Sequence, residues 1–233
     1  MVRARGARCC LLLWVLVCSG CALLPQPPIE KPTAMLPEPA LIDALPGKSF
    51  RIVDAQLDIH TFRDGWLSHL AHNHVMQTDA VSGAIQLTDP IERSTARLYF
   101  RPWDLVLDDP EARQAAGAGF ESERTAADIA ATRSRMLGPR GFNSNEHPIV
   151  TVDVSWLDAR QVNLVIQFRG ESYRFPAPVT WSQTDTRIQI RSDIELSHGA
   201  LGIKPYSAFA GAIAVADPIR IRLQLSAEAT PPL

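Results

Sequence analysis

From Ser49 onward, apolar and polar residues alternate with a period of two through eight separate segments. Successive side chains of a strand point to opposite faces, so each segment reads as a strand with one dry side and one wet side. In 53–60, Val53, Ala55, Leu57 and Ile59 oppose Asp54, Gln56, Asp58 and His60. The same pattern recurs in 81–88, in 95–101 (Ala96, Leu98, Phe100) and in 149–157. It continues in 161–169 (Val162, Leu164, Ile166, Phe168), 173–181 (Tyr173, Phe175, Ala177, Val179, Trp181), 187–196 and 219–226 (Ile219, Ile221, Leu223, Leu225). Strands of this kind form antiparallel sheets. Eight of them must hide one face by sandwiching or by curling into a barrel. An eight-stranded barrel leaves an interior that side chains fill or that holds one small ligand. Gly170-Glu171 and Gln183-Thr184-Asp185 are short enough for hairpins.

One stretch breaks the alternation. In 122–137, Ala126, Ile129, Ala130 and Met136-Leu137 recur at helical spacing, with Ser122 as candidate N-cap and Gly138-Pro139 as stop. A lone helix among strands plugs a barrel mouth or serves as a surface crossover, and the sequence slightly favours the crossover.

The first residues do not belong to this pattern. Arg3, Arg5 and Arg8 precede an apolar run, Cys9 to Val17, too short to span a bilayer but suited to the core of a signal peptide. Ser19-Gly20-Cys21 then resembles a lipobox, the bacterial lipoprotein signal in which the cysteine becomes the acylated first residue. The plainer alternatives are a secretory signal cut near Gly20, or an uncleaved anchor. All four cysteines lie at or before position 21, so an acylated Cys21 leaves no thiol for a disulfide or a thiolate metal site. Losing the leader removes three arginines and takes the net charge from −2 to −5. That argues against a general nucleic-acid binder, which shows a basic face. Seven prolines between Pro25 and Pro46 mark a semi-rigid spacer. The expected organisation is a signal peptide over 1–20, an acylated cysteine and tether over 21–47, and a domain over 48–229. Ala22 after the cysteine points to the outer membrane, on the periplasmic side.

Catalytic signatures are missing: there is no G-x-S-x-G elbow, no phosphate-binding glycine loop and no H-E-x-x-H. The chemistry concentrates instead in His60, His69, His72 and His74. On an extended 72–76, His72 and His74 share a side, where they could start a divalent metal site completed by His60 or Asp58, or a heme site from the same histidines. Equally, they could offer hydrogen bonds to a polar headgroup at a barrel mouth, or pair structurally with Asp64 or Asp79.

Three segments resemble the YceI-like family, periplasmic barrels that bind polyisoprenoid chains. They are His72-Asn73-His74-Val75-Met76 leading into Val81-Ser82-Gly83, then Phe142 to Val150, then Leu201-Gly202-Ile203-Lys204-Pro205-Tyr206-Ser207. His147 stands where that family usually has an aromatic, and Leu201 where it has Phe. The resemblance spans roughly 49–227. It implies an all-β fold with one helix: an eight-stranded antiparallel lipocalin-like β-barrel around an apolar tunnel for an isoprenoid tail. A buried tail gains about 0.8 kcal/mol per CH₂, so it needs a dry slot and no resident cofactor. The expected guest is an isoprenoid-type lipid or quinone. The expected lining is Leu57, Ile59, Leu98, Phe100, Ile166, Phe168, Trp181 and Leu223, with His72 and His74 at the mouth. The rival readings are an envelope scaffold that docks a protein partner and a metalloenzyme built on His60, His72 and His74.

Overall fold

A computed structural model of the chain describes residues 31, 33–37 and 47–230. The signal segment and Cys21 lie outside the described residues.

Twelve strands form one antiparallel sheet. In chain order they are β1 (Lys48–Asp64), β2 (His74–Thr78), β3 (Val81–Leu87), β4 (Thr95–Phe100), β5 (Val106–Leu107), β6 (Val150–Trp156), β7 (Gln161–Phe168), β8 (Glu171–Pro178), β9 (Thr180–Gln183), β10 (Arg187–Ser197), β11 (Ser207–Ala208) and β12 (Ile213–Ala229). The main path runs β8-β7-β6-β4-β3-β1-β12-β10-β9, with β2, β5 and β11 pairing off it. Two helices follow β5: α1 (Pro110–Ala116) and α2 (Ala126–Leu137). The alternating segments therefore give a lipocalin-like curled antiparallel sheet, but with two helices rather than one and with more strands than eight.

The largest departure is at 173–181. Read as one strand, it is broken at Val179, whose N–H donates to the Arg160 carbonyl at 2.8 Å. β8 before the break pairs with β7, and β9 after it pairs with β10. One stretch of chain thus supplies both edges of the sheet and joins them covalently. The Ser192 hydroxyl reinforces the join by donating to the Pro178 carbonyl at 2.7 Å. Away from this corner, among the described residues, no ladder links β8 to the Asp193–Ser197 half of β10. Pro176 and Pro178 suit such an edge, because they have no N–H to offer a further strand. The sheet closes at one end and gapes at the other.

Alternation also fails once inside a strand. Val53 is exposed although its parity matches Leu57 and Ile59. The β1–β12 register shifts between Ile52 and Asp54, so Phe50 and Ile52 pack inward before the bulge and Ala55, Leu57 and Ile59 after it. One extra residue flips the facing of everything beyond it.

The inward faces form two clusters. Phe50, Ile85, Ile188 and Ala227 fill the closed end, while Leu57, Phe100, Phe168, Leu201 and Ile219 ring the wide end. Helix α2 starts at Thr125, not Ser122, through a capping box with Asp128. Helix α1 carried a legible signal: Asp109 caps it, Pro110 opens it and Gly117 closes it.

Candidate ligand cavity

A cavity of about 1860 Å³ runs from the wide end down to Trp156, Val162 and Val179. Its wall is made of the inward residues of the main strands. Its cover is α2, through Ala131, Thr132, Arg135 and Met136, together with the loop from His198 to Val215. The helix therefore covers the mouth and is not a surface crossover. Arg133 holds it there by donating to the carbonyls of Trp103 and Leu105.

Seven of the residues expected to line a tunnel border this cavity: Leu57, Ile59, Leu98, Phe100, Ile166, Phe168 and Leu223. Trp181 does not. It packs on the closed-end cluster, and its indole N–H donates to the Ala159 carbonyl at 3.0 Å. Being on the far side of the Val179 break places it at the closed corner. The interior is not choked by its aromatics, which stack along the wall. Phe142 meets Phe100 and Phe168 edge-on, with ring centroids 6.5 and 5.6 Å away, and Phe168 leans on Tyr173. The Phe142 and Leu201–Ser207 segments, which carry the family resemblance, both border the cavity.

The histidines separate. His72 and His74 border the cavity. His60 pairs with Val75, one residue off the Thr61–His74 pair, and so faces the opposite side of the sheet. It is buried there beneath the Phe120 ring, 5.4 Å between centroids. The three cannot converge on one ion, which removes the rival metal set of His60, His72 and His74. His74 pairs neither with Asp64 nor with Asp79: its Nδ1 lies 2.6 Å from Asp108 Oδ2. Asp108 also accepts from the Val75 N–H at 3.1 Å and from Arg113 at 2.7 Å. Burial pushes the Asp108 carboxyl up, but the bonds from His74, Val75 and Arg113 outweigh it, and the net result lies below the ordinary value. Arg113 further donates to the carbonyls of Asn73 and Ser122, each at 2.9 Å. This knot fixes the 72–74 segment at the mouth. Sequence reading missed it because its members lie 34 and 5 residues apart on separate elements.

Burial, then the Arg222 charge, lowers the His60 pKa. The unfolded chain binds the extra proton first, so this contribution to stability is complete above about pH 6.5 and is lost as pH falls toward the folded value. His60→Gln is expected to flatten part of that acid-side decline in denaturant midpoint. An unchanged slope would show that His60 is not held neutral.

Gly202 sits in the loop over the cavity with φ +66°, and a Cβ there would lie 2.6 Å from the Tyr173 hydroxyl oxygen. Gly202→Ala is expected to cost about 1 kcal/mol and lower Tm by about 2–4 °C. A calorimetric Tm equal to that of the unsubstituted chain would show that the loop yields freely.

By sequence, the chain matches no family model and no curated protein. In structure it is similar to a polyisoprenoid-binding domain from Saccharophagus degradans implicated in plant cell wall breakdown, with TM-score 0.50 and 14% identity, covering 78% of this chain and 98% of that one. The fold is YceI-like. BcnA of Burkholderia cenocepacia gives 0.49 at 11% identity, over 74% of this chain and 95% of its own. A Campylobacter jejuni YceI protein gives 0.42 at 9%, over 65% and 82%. At these identities the YceI-like likeness fixes the architecture and leaves the guest to be argued from the cavity.

Proposed function

We propose that the protein binds an amphiphilic lipid with an isoprenoid-type chain, a prenyl lipid or quinone, and carries it in the cell envelope without transforming it. The observation that carries this reading is the cavity itself. Its volume of about 1860 Å³ exceeds the roughly 300–1,000 Å³ of pockets built for drug-sized molecules. Its wall below the mouth is made of Leu, Ile, Val, Ala, Met, Phe and Trp side chains with Ser192, which suits a long chain and nothing charged. The polyisoprenoid-binding neighbour supports the same ligand class.

In this reading Leu57, Ile59, Leu98, Phe100, Ile166, Phe168 and Leu223 hold the tail. His72 and His74 meet the headgroup. With His74 Nδ1 committed to Asp108, Nε2 is the ring's remaining polar atom. Acylation of Cys21 would hold the protein on the periplasmic face of the outer membrane, two or more chains being needed for stable anchoring. The protein isolated from its own membranes is expected to release a prenyl lipid or quinone into organic solvent, detected by mass spectrometry above a blank. Added quinone should raise Tm by linkage. An empty extract together with an unmoved Tm would overturn the proposal.

A further inference from the structure

Half of the large apolar side chains that stand exposed among the described residues gather at one place. Of eight, Trp66, Leu70, Tyr206 and Phe209 surround the cavity mouth, at 79, 57, 48 and 78% exposure. Leu70, Tyr206 and Phe209 border the cavity itself. Trp66 sits on a turn whose next residue, Leu67, donates its N–H to the Ala212 carbonyl at the same rim. Contiguous apolar exposure of this kind marks an interaction face.

The same rim is basic on a chain that is acidic overall. Arg124, Arg135, Arg140 and Lys204 border the mouth. Among the described residues none of them has a carboxylate within ion-pair distance, whereas Arg97, Arg101, Arg113, Arg187 and Arg222 all do. Asp128 is the carboxylate on the cavity border, and its side chain is bonded to Thr125. Nearby Asp64 and Glu121 each accept a backbone N–H, from Gly65 and Gly119. Basic side chains interleaved with Trp, Tyr, Phe and Leu are the composition of a surface that lies in a membrane interface.

The tether points the same way. Part of it is docked on the barrel: Arg101 donates to the Ala34 carbonyl at 3.2 Å, and Lys31 lies 3.9 Å from Asp104. The expected separation of 21–47 from the domain is therefore incomplete. Arg101 and Asp104 follow β4 at the wide end, beside the carbonyls that Arg133 of α2 holds. Lys31 is ten residues from Cys21, a reach of at most about 35 Å even fully extended. Strand β1, running from closed end to mouth, has 17 residues and spans about 56 Å. That reach falls short of the strand's full length, so a tether leaving from Lys31 favours the mouth over the closed end.

We infer that the cavity mouth is a membrane-docking face. Trp66, Leu70, Tyr206 and Phe209 enter the interface of an anionic phospholipid bilayer, while Arg124, Arg135, Arg140 and Lys204 meet its headgroups. The guest then passes between bilayer and cavity without crossing water. The orientation argument rests on acylation of Cys21, while the rim argument stands without it.

The test is fluorescence quenching of the protein after removal of its leader, which carries Trp14, on vesicles of phosphatidylglycerol with brominated acyl chains. Trp66 emission is expected to fall relative to unbrominated vesicles, and the fall should vanish in Trp66→Phe. Arg135→Ala and Lys204→Ala should each weaken docking about fivefold, and added salt should do the same. No quenching, quenching that survives Trp66→Phe, or equal quenching on phosphatidylcholine alone overturns the inference. Guest content is read separately by extraction. A loaded protein with unquenched Trp66 sinks docking alone, and an empty protein with quenched Trp66 sinks the carrier reading alone.

Discussion

Replacing Arg113 with methionine is expected to cost about 3–5 kcal/mol of folding stability, although no guest need touch Arg113. The Asp108 side chain is fully buried, and the Arg113 guanidinium donates to it at 2.7 Å. Without the guanidinium, a buried carboxylate keeps only His74 and the Val75 N–H, and the Asn73 and Ser122 carbonyls lose their donor. Removing one partner of a buried pair leaves an uncompensated charge, which outweighs the packing a methionine restores. Urea denaturation checks this, and a loss below about 1 kcal/mol would mean that water reaches Asp108. The double replacement Asp108→Asn with Arg113→Met is expected to recover part of the loss, since both charges are then gone. The pH dependence has a definite sign. The folded Asp108 carboxyl lies below its ordinary value, so its contribution is present above the unfolded carboxylate pKa and is lost as pH falls through the folded one.

The second large effect falls on guest binding with the fold left intact. Ile166 lies on β7 between Val152 of β6 and Tyr173 of β8, and it borders the cavity. Tryptophan there has open space to enter, so Ile166→Trp is expected to change stability by no more than about 1.5 kcal/mol. If the indole displaces one five-carbon unit of a bound chain, the lost burial is about 4 kcal/mol at 0.8 per CH₂, roughly a thousandfold in affinity. Titration with a quinone, read by Tm shift or by calorimetry, checks this. Wild-type affinity in a folded Ile166→Trp protein would place the chain outside the cavity. Trp181→Ala is the matched control: it lies off the cavity and should leave guest affinity unchanged.

How much of this was legible beforehand depends on the range of the interaction involved. Period-two patterning located the strands, because one apolar face per strand follows from the pleat alone. It misplaced Val53, because the bulge between Ile52 and Asp54 is set by pairing with β12, more than 160 residues away. It read 173–181 as one strand, because nothing local says that Pro178 and Thr180 belong to opposite edges. The short β2 was read only as an extended 72–76 carrying His72 and His74 and was not counted among the strands, because Val75 and Met76 are adjacent and break the alternation. Helix α1 was legible in Asp109-Pro110 and Gly117 and was overlooked.

The site divides in the same way. Seven cavity residues could be named from parity, since facing inward is a property of a strand. The sequence could not tell an open interior from a filled one. That depends on whether Phe142, Phe168 and Trp156 stack along the wall or cross the middle, and packing against non-local neighbours makes that choice. Alternation and composition are local, so they specified antiparallel strands with one oily face and a histidine-rich entry, and left sandwich and barrel both open. Long-range contacts alone turn His60 away from His74, pin the entry with Asp108 and Arg113, and set α2 as a roof over the cavity. Each of those outcomes rests on residues the chain brings together from distant positions, where burial and hydrogen bonding select one arrangement.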